Sequence, residues 1–69
     1  MFKQIRNLEP GDLFLISYHS DFKMGRIIYN TGQSVKVDIA YSINSDIMEE
    51  GVIKEIKYIS PYRFVYKIN

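Results

Sequence analysis

Residues 17–21 contain the one group of side chains in this sequence whose types suggest nucleophilic catalysis. His19 is the single histidine, and Ser17, Ser20 and Asp21 flank it. In a Ser/His/Asp triad the imidazole takes the hydroxyl proton, while the carboxylate orients the imidazole. A triad also needs an oxyanion hole, and neighbouring residues of one loop do not supply that geometry. Because the chain has no nucleophile elbow and no glycine-rich phosphate loop, we expect a solvated loop histidine and no enzymatic activity.

A second group of reactive side chains is acidic. Asp46, Glu49 and Glu50 suggest a cation site, but their spacing lacks the alternating oxygen ligands and distal glutamate of an EF-hand. The chain has no cysteine and one histidine, which excludes a disulfide and a Cys/His zinc site. We therefore expect no metal, no cofactor and a solvated acidic loop. The alternative is an acidic patch that steers a basic protein partner.

Basic side chains accompanied by tyrosines form the candidate binding surface. Its members are Lys23, Arg26, Lys36, Lys54, Lys57, Tyr58, Arg63 and Lys67. Cations beside exposed aromatic rings are typical of surfaces that bind single-stranded nucleic acid. The net charge of the whole chain is only +1, which weakens an interpretation based on phosphate contacts. The alternative is that these cations keep a small protein soluble and protect its edge strands.

We expect β-strands to position these residues, because apolar and polar side chains alternate along two segments of the chain. Residues 34–41 predict a half-buried strand with Lys36 and Asp38 facing outward. Its inward set is Val35, Val37, Ile39 and Tyr41. Residues 62–68 repeat the pattern and predict a last strand with Arg63 and Lys67 outward. The opposite, inward set is Tyr62, Phe64, Tyr66 and Ile68.

Three further segments complete the predicted architecture. The apolar run 13–18 follows a Pro-Gly turn signal and predicts a strand that is covered on both sides. Residues 24–41 predict a hairpin that turns at Asn30-Thr31-Gly32-Gln33. Residues 52–59 favour a fourth strand with a bulge, and the alternative is a short helix or 3-10 turn within 46–59. Gly51 argues against a long helix there.

The stretch Leu8-Glu9-Pro10-Gly11-Asp12-Leu13-Phe14-Leu15-Ile16 resembles the opening of SH3-like barrels, including KOW-type domains. Met24-Gly25-Arg26-Ile27-Ile28 is similar to the Gly-x-Ile/Val strand of that family, and Ser34-Val35-Lys36-Val37-Asp38-Ile39 resembles its third strand. A departure is Asp21-Phe22-Lys23, where KOW loops are richer in glycine. The resemblance covers residues 8–41. It implies an all-β fold, with one five-stranded SH3-like barrel over residues 1–69.

Length and composition bound the class of protein. A chain of 69 residues allows one domain, and its 46% hydrophobic and 14% aromatic content must stabilise it by packing alone. No apolar run predicts a signal peptide or a transmembrane helix. The lack of cysteine is compatible with the cytoplasm. Abundant isoleucine, lysine, asparagine and tyrosine are typical of AT-rich phage or low-GC bacterial genomes, so phage or mobile-element origin is a hypothesis.

Two functions from different classes follow as expectations. The first is a small, non-catalytic binding module that engages a larger protein through a tyrosine-bearing sheet face or an edge strand. A phage factor that acts on a host protein would have this size. The alternative is an SH3-like, KOW-type barrel that binds RNA or single-stranded DNA. No membrane partner is expected, and a homo-oligomer is compatible with so small a core.

Overall fold

The computed structural model describes all 69 residues, which form one six-stranded antiparallel sheet. The strands are β1 (Phe2–Gln4), β2 (Leu13–Tyr18), β3 (Asp21–Asn30), β4 (Val35–Ala40), β5 (Lys54–Ile59) and β6 (Phe64–Lys67). Their spatial order is β1-β6-β2-β3-β4-β5. The only helical element is a 3-10 turn, Ile5–Asn7. No helix has the length and hydrophobicity that crossing a membrane requires.

The hydrophobic core lies on the inner face of this curved sheet. The alternation of β4 is confirmed there, because Val35, Val37 and Ile39 are fully buried while Lys36 and Asp38 face the other side. The remaining members of the core cluster are Ile5, Leu8, Phe14, Ile16, Ile27 and Val65. Each buried branched or aromatic side chain contributes roughly 1.5–3 kcal/mol relative to an exposed one. Strands β2, β3 and β4 supply most of them.

The predicted hairpin over 24–41 is confirmed, with one irregularity at Ile28. The register between β3 and β4 shifts between Ile27 and Tyr29, which is a β-bulge. After the shift Tyr29 lies opposite Lys36 on the outer face. Asn30 then turns inward, where its side-chain amide donates to the backbone oxygens of Arg6 (2.6 Å) and Leu8 (2.8 Å). The bulge therefore both exposes a tyrosine and ties β3 to the N-terminal segment.

The all-β class is confirmed, but the closed five-stranded barrel is wrong. Residues 2–4 add a sixth strand, β1, and the sheet ends at β1 on one side and β5 on the other. Closure would need hydrogen bonds between those two edge strands. Instead the chain turns into the 3-10 segment. The Ile5 N–H donates to Arg63 O (2.7 Å) and the Arg6 N–H to Pro61 O (3.1 Å), so the N-terminal segment bonds to the β5–β6 connection rather than to β5.

The strand predicted over 52–59 is confirmed for residues 54–59, but the predicted bulge is wrong, because its register with β4 is unbroken. Residues 54–59 are a strand, and the alternative helix within 46–59 does not form. The preceding residues 41–53 are a loop of turns in which Gly51 has φ +86°. Tyr41 was predicted to face inward at the end of β4. It lies one residue beyond the strand and is exposed, although its N–H still pairs with Ile53 O (2.8 Å).

The predicted orientation of the last strand is wrong. Val65 faces the core and is buried, whereas Phe64 and Tyr66 face outward. Shifting a strand by one residue moves all its side chains to the other face, so the register decides this. Backbone hydrogen bonds at both ends fix it, from Ile5 N to Arg63 O (2.7 Å) and from Ile68 N to Leu13 O (2.9 Å). These bonds leave the larger aromatic rings outside.

The loop 41–53 folds back over part of the outer face of the sheet. Ile47 is fully buried, as is Ala40 on the outer side of β4, and neither belongs to the main core cluster. The Ile47 N–H lies 3.4 Å from the Met24 sulfur, and the Arg26 guanidinium lies 3.8 Å from the Met48 sulfur. The loop thus covers the outer side of β3 and β4. The outer side of β1, β6 and β2 has no such cover.

Candidate functional site

The outer side of β1, β6, β2 and the start of β3 is rich in aromatic and aliphatic side chains. Strand register places Phe2 opposite Tyr66, Tyr66 opposite Leu15, and Leu15 opposite Met24. These four side chains form one row across four adjacent strands, a span of about 15 Å at the usual strand spacing. Phe64 and Phe22 lie beside this row on the same face. We call the set Phe2, Leu15, Phe22, Met24, Phe64 and Tyr66 the apolar face.

Solvent reaches much of the apolar face. The exposed fractions are 64% for Phe2, 59% for Phe64 and 40% for Tyr66. Phe2 and Tyr66 pack edge to face, with ring centroids 5.3 Å apart and an interplanar angle of 78°. Such a contact holds two rings in a fixed geometry and adds roughly 0.5–1.5 kcal/mol beyond area burial. The rings are therefore ordered against each other rather than hidden from water.

An open groove of about 440 Å³ borders the apolar face where the loop 41–53 begins to cover the sheet. One wall is apolar and consists of Leu15, Phe22 and Met24. The other wall is polar and consists of residues 44–46, which include the Asp46 carboxylate. Asp46 Oδ1 accepts a hydrogen bond from the Met48 N–H (2.9 Å), which holds the polar wall in place. The groove therefore has an apolar wall, which we call its floor, and a facing polar wall that includes the acidic residue Asp46.

The bulge in β3 creates an outer lysine–tyrosine cluster, which consists of Tyr29, Lys36 and Tyr58. The tyrosine hydroxyl oxygens lie 3.1 Å apart and share a hydrogen bond, and their rings are 6.2 Å apart. Lys36 Nζ lies 5.8 Å from the centre of the Tyr29 ring and 6.0 Å from that of Tyr58, within cation–π range. The hydrogen bond with Tyr29 raises the pKa of Tyr58 above its ordinary value. Of the predicted surface, only Lys36 and Tyr58 meet here.

Replacing Tyr29 by phenylalanine should lower the pKa of Tyr58 back toward its ordinary value. The hydrogen bond favours the protonated phenol in the folded state, so its contribution to stability is present below the ordinary tyrosine pKa. That contribution is lost as the pH rises through the raised pKa of folded Tyr58. NMR titration of ring-labelled tyrosines measures this directly. Tyr62→Phe is the matched control, and an equal Tyr58 pKa in wild type and Tyr29→Phe would contradict the assignment.

A second, inner lysine–tyrosine cluster consists of Tyr18, Lys23, Tyr41 and Lys57. Lys23 Nζ lies 4.9 Å from the Tyr18 ring and 5.6 Å from the Tyr41 ring, and Lys57 Nζ lies 5.5 Å from the Tyr18 ring. Lys57 also forms an ion pair with Glu55 (3.3 Å). The hydrogen bond to Glu55 raises the pKa of Lys57 above its usual value, and the interaction with Tyr18 adds to the shift. This cluster faces away from the outer one.

The other predicted surface residues lie apart from both clusters. Arg26 pairs with Asp38 (3.2 Å), and Lys67 Nζ lies 4.0 Å from an Asp12 carboxylate oxygen. The Arg63 guanidinium donates to Ser17 O (2.7 Å), and Lys54 is exposed at the beginning of β5. Arg63 precedes β6, and Lys67 is half-buried because β6 has the inverted orientation. The structure therefore divides the predicted basic surface among two clusters and four separate positions.

Of the side chains that suggested catalysis, Ser17 and Asp21 lie in β2 and β3, and the other two lie in the turn between these strands. His19 occupies the turn between β2 and β3 with φ 57°, and Ser20 is its neighbour in that turn. Asp46 O accepts from the Glu49 N–H (3.0 Å), so these acidic residues form part of a tight turn. No group of three or more histidine, cysteine, aspartate or glutamate side chains is arranged to hold a metal ion.

Sequence reasoning missed most of the apolar face. Phe2 and Phe22 were given no role, and Phe64 and Tyr66 were predicted to be inside. No signal within residues 62–68 identifies the inward side, because Val65 and its aromatic neighbours put apolar side chains on both faces. No protein-family model, curated protein or solved structure matches this chain. The resemblance of residues 8–41 to SH3-like barrels therefore stays a prediction.

Proposed function

We propose that this chain is a non-catalytic interaction module that binds a protein partner through the apolar face. The observation that carries the proposal is the row of Phe2, Tyr66, Leu15 and Met24 across four strands, in which Phe2 and Tyr66 are exposed and Leu15 and Met24 are half-buried. A contiguous exposed apolar patch is unusual on a small soluble protein and typically marks an interaction site. Aromatic and methionine side chains are also the types enriched at the centres of protein interfaces.

The groove beside the apolar face supports a particular kind of partner. Binding energy concentrates where a few large side chains enter pockets that exclude water. An apolar anchor of the partner would occupy the floor formed by Leu15, Phe22 and Met24. A lysine or arginine next to that anchor would lie near Asp46. A larger protein, such as a host protein bound by a phage factor, supplies the area to cover the rings of Phe2 and Phe64.

The double variant Phe2→Ser/Phe64→Ser should capture at least tenfold less of the partner than wild type does. Both rings are exposed and outside the core, so their removal costs binding area while the fold is kept. The measurement is capture from nuclease-treated host lysate on the tagged chain. A photo-crosslinking residue placed at position 64 then identifies the protein in contact. Tyr62→Ser is the matched control, because Tyr62 is equally exposed but lies in the turn before β6.

Two results would overturn the proposal. The first is that the double variant, shown by circular dichroism to be folded, captures as much of the same protein as wild type does. The second is that crosslinking at position 64 gives no more product than crosslinking at Gln33 in the β3–β4 turn. If material is captured from untreated lysate and none is captured after nuclease treatment, the partner is nucleic acid rather than protein.

That last outcome corresponds to the second candidate function, nucleic-acid binding. The observation that favours it is the pair of lysine–tyrosine clusters, since each places an ammonium group beside aromatic rings that bases can stack on. The clusters lie on opposite faces, and three of the cations, Arg26, Lys57 and Lys67, already lie beside carboxylates. A single strand would have to pass from one face to the other. We therefore rank this function second.

A further inference from the structure

Strand β5 has one edge without a partner. It is the last strand of the sheet, and all six of its residues pair with β4 in an unbroken register. The hydrogen bond from Tyr41 N to Ile53 O sets the phase of this ladder. In an antiparallel pair the hydrogen-bonded positions alternate, so Glu55, Lys57 and Ile59 bond to β4. The N–H and C=O groups of Lys54, Ile56 and Tyr58 therefore point to the open edge.

This open edge is protected against pairing only by charged side chains, of which Glu55 and Lys57 on the inner face already pair with each other (3.3 Å). Natural edge strands are kept apart by proline, bulges, short length or inward-pointing charges. β5 has no proline and no bulge, and its outward side chains include Ile56 and Tyr58, each 63% exposed. Its counterpart at the other end of the sheet, β1, has only three residues. The β5 edge is thus the better template for an additional strand.

We propose that a second copy of this chain occupies that edge, with the two β5 strands antiparallel about a two-fold axis at Ile56. In this register Ile56 pairs with Ile56 of the partner subunit. Each N–H that points to the open edge then meets a C=O that points to the open edge of the other copy. About six backbone hydrogen bonds form between the copies. The result is a continuous sheet built from both chains.

Charge complementarity selects this register. On the inner face Glu55 lies opposite Lys57 of the partner subunit, and the same contact recurs by symmetry. Directly opposite charges on neighbouring strands attract, and their Cα atoms are about 4.5 Å apart at non-hydrogen-bonded positions. On the outer face Lys54 lies opposite Tyr58 of the partner subunit, which allows a cation–π contact. The two Glu55–Lys57 pairs formed within the separate chains are exchanged for two pairs between the chains.

Neighbouring registers are unfavourable. A two-fold axis at Glu55 would place two glutamates opposite each other, and an axis at Lys57 would place two lysines opposite each other. Like charges directly opposite destabilise a strand pair. If the pairing were shifted by one residue, the free N–H and C=O groups of one copy would face residues of the other copy whose N–H and C=O groups already bond to β4. The Ile56 register is the one that satisfies both the backbone and the charges.

This dimer leaves the apolar face free, because β1, β6 and β2 lie at the other end of the sheet order. The inference is therefore independent of the proposed function. Two copies would present two apolar faces in one assembly. A partner with two binding sites would then be held by both, which strengthens binding through effective concentration.

Charge-swapped variants test the register. Sedimentation equilibrium of the full chain from micromolar to millimolar concentration should show wild type passing from one to two chain masses of 8.1 kDa each. Glu55→Lys and Lys57→Glu should each stay monomeric, because each places like charges opposite. An equal mixture of the two should form a heterodimer, since every opposed pair is then of opposite sign. Wild type that remains monomeric, or variants that dimerise alone as well as wild type does, would overturn the proposal.

A second variant tests the backbone pairing. Ile56→Pro removes an N–H that has no partner within the chain, so the fold should be kept while the dimer is lost. Circular dichroism checks the fold. If Ile56→Pro is folded and dimerises as wild type does, the interface is not the β5 edge. If it is unfolded, the heterodimer of the charge-swapped variants decides, because those substitutions are at partly exposed positions.

Discussion

Val37→Asp should unfold this domain. Val37 is fully buried at the centre of β4, with Ile27 opposite it on β3 and Lys57 opposite it on β5. An aspartate there would be an unpaired charge among aliphatic side chains unless it took up a proton. Such substitutions cost about 4–5 kcal/mol or more, which exceeds what a domain this small can lose. Far-ultraviolet circular dichroism and urea titration should show an unfolded chain without a cooperative transition.

Lys57 is the one charge near enough to reduce this effect. It is bonded to Glu55, so an aspartate at position 37 would have to compete for its ammonium group. Ser17→Asp is the control, because Ser17 is an exposed strand position and lies beside the Arg63 guanidinium. That variant should remain within about 0.5 kcal/mol of wild type. A folded Val37→Asp variant with wild-type stability would show that the inner face of β4 is assigned wrongly.

The centre of the sheet could be predicted because local and global preferences agree there. Lys36 and Asp38 are excluded from the core by charge, and the turn at 30–33 contains the asparagine and glycine that a hairpin favours. Each choice then follows from the chemistry of a few neighbouring residues. The same holds for residues 54–59, where Gly51 stops a helix and the strand follows.

The edges could not be predicted because contacts between distant residues determine them. Residues 62–68 offer apolar side chains on both faces, so the pattern alone does not decide whether Val65 or Phe64 is inside. Hydrogen bonds to residues 5 and 13, which are distant in sequence, decide it. Strand β1 has three residues and too short a pattern to detect. The prediction of a closed barrel was wrong for the same reason, because closure depends on which strand β1 pairs with.

The error at β6 explains why the candidate site was misplaced. Predicting the aromatics of 62–68 inside left only cations and a few tyrosines to form a binding surface. With Phe64 and Tyr66 outside, the outer side of β1, β6 and β2 is aromatic, and the cations are divided between two faces. The functional proposal thus depends on one register. The row depends also on the pairing of β2 with β3, in which Gly25 lies opposite Phe14 and Met24 lies opposite Leu15.

Gly25→Val should destabilise the domain by on the order of 3 kcal/mol, the upper end of typical overpacking costs. Gly25 is buried on the inner face of β3, opposite Phe14 of β2. A Cβ atom there would lie 2.6 Å and 2.7 Å from the two Cε atoms of the Phe14 ring, which is closer than carbon atoms can approach. Phe14 is itself fully buried and has no room to move. Valine has a high strand propensity, so a loss of stability in chemical denaturation would report the packing alone.

A size swap separates this steric effect from a backbone effect. Phe14→Ala alone should cost about 3–5 kcal/mol because it leaves a cavity. In the double variant Gly25→Val/Phe14→Ala the valine side chain occupies part of that cavity, so the total loss should be smaller than the sum of the two single losses. Additive losses would mean that valine acts through the backbone of β3 rather than through the ring. A Gly25→Val variant as stable as wild type would mean that β2 and β3 are not held together by this contact, and the row that carries the apolar face would lose its support.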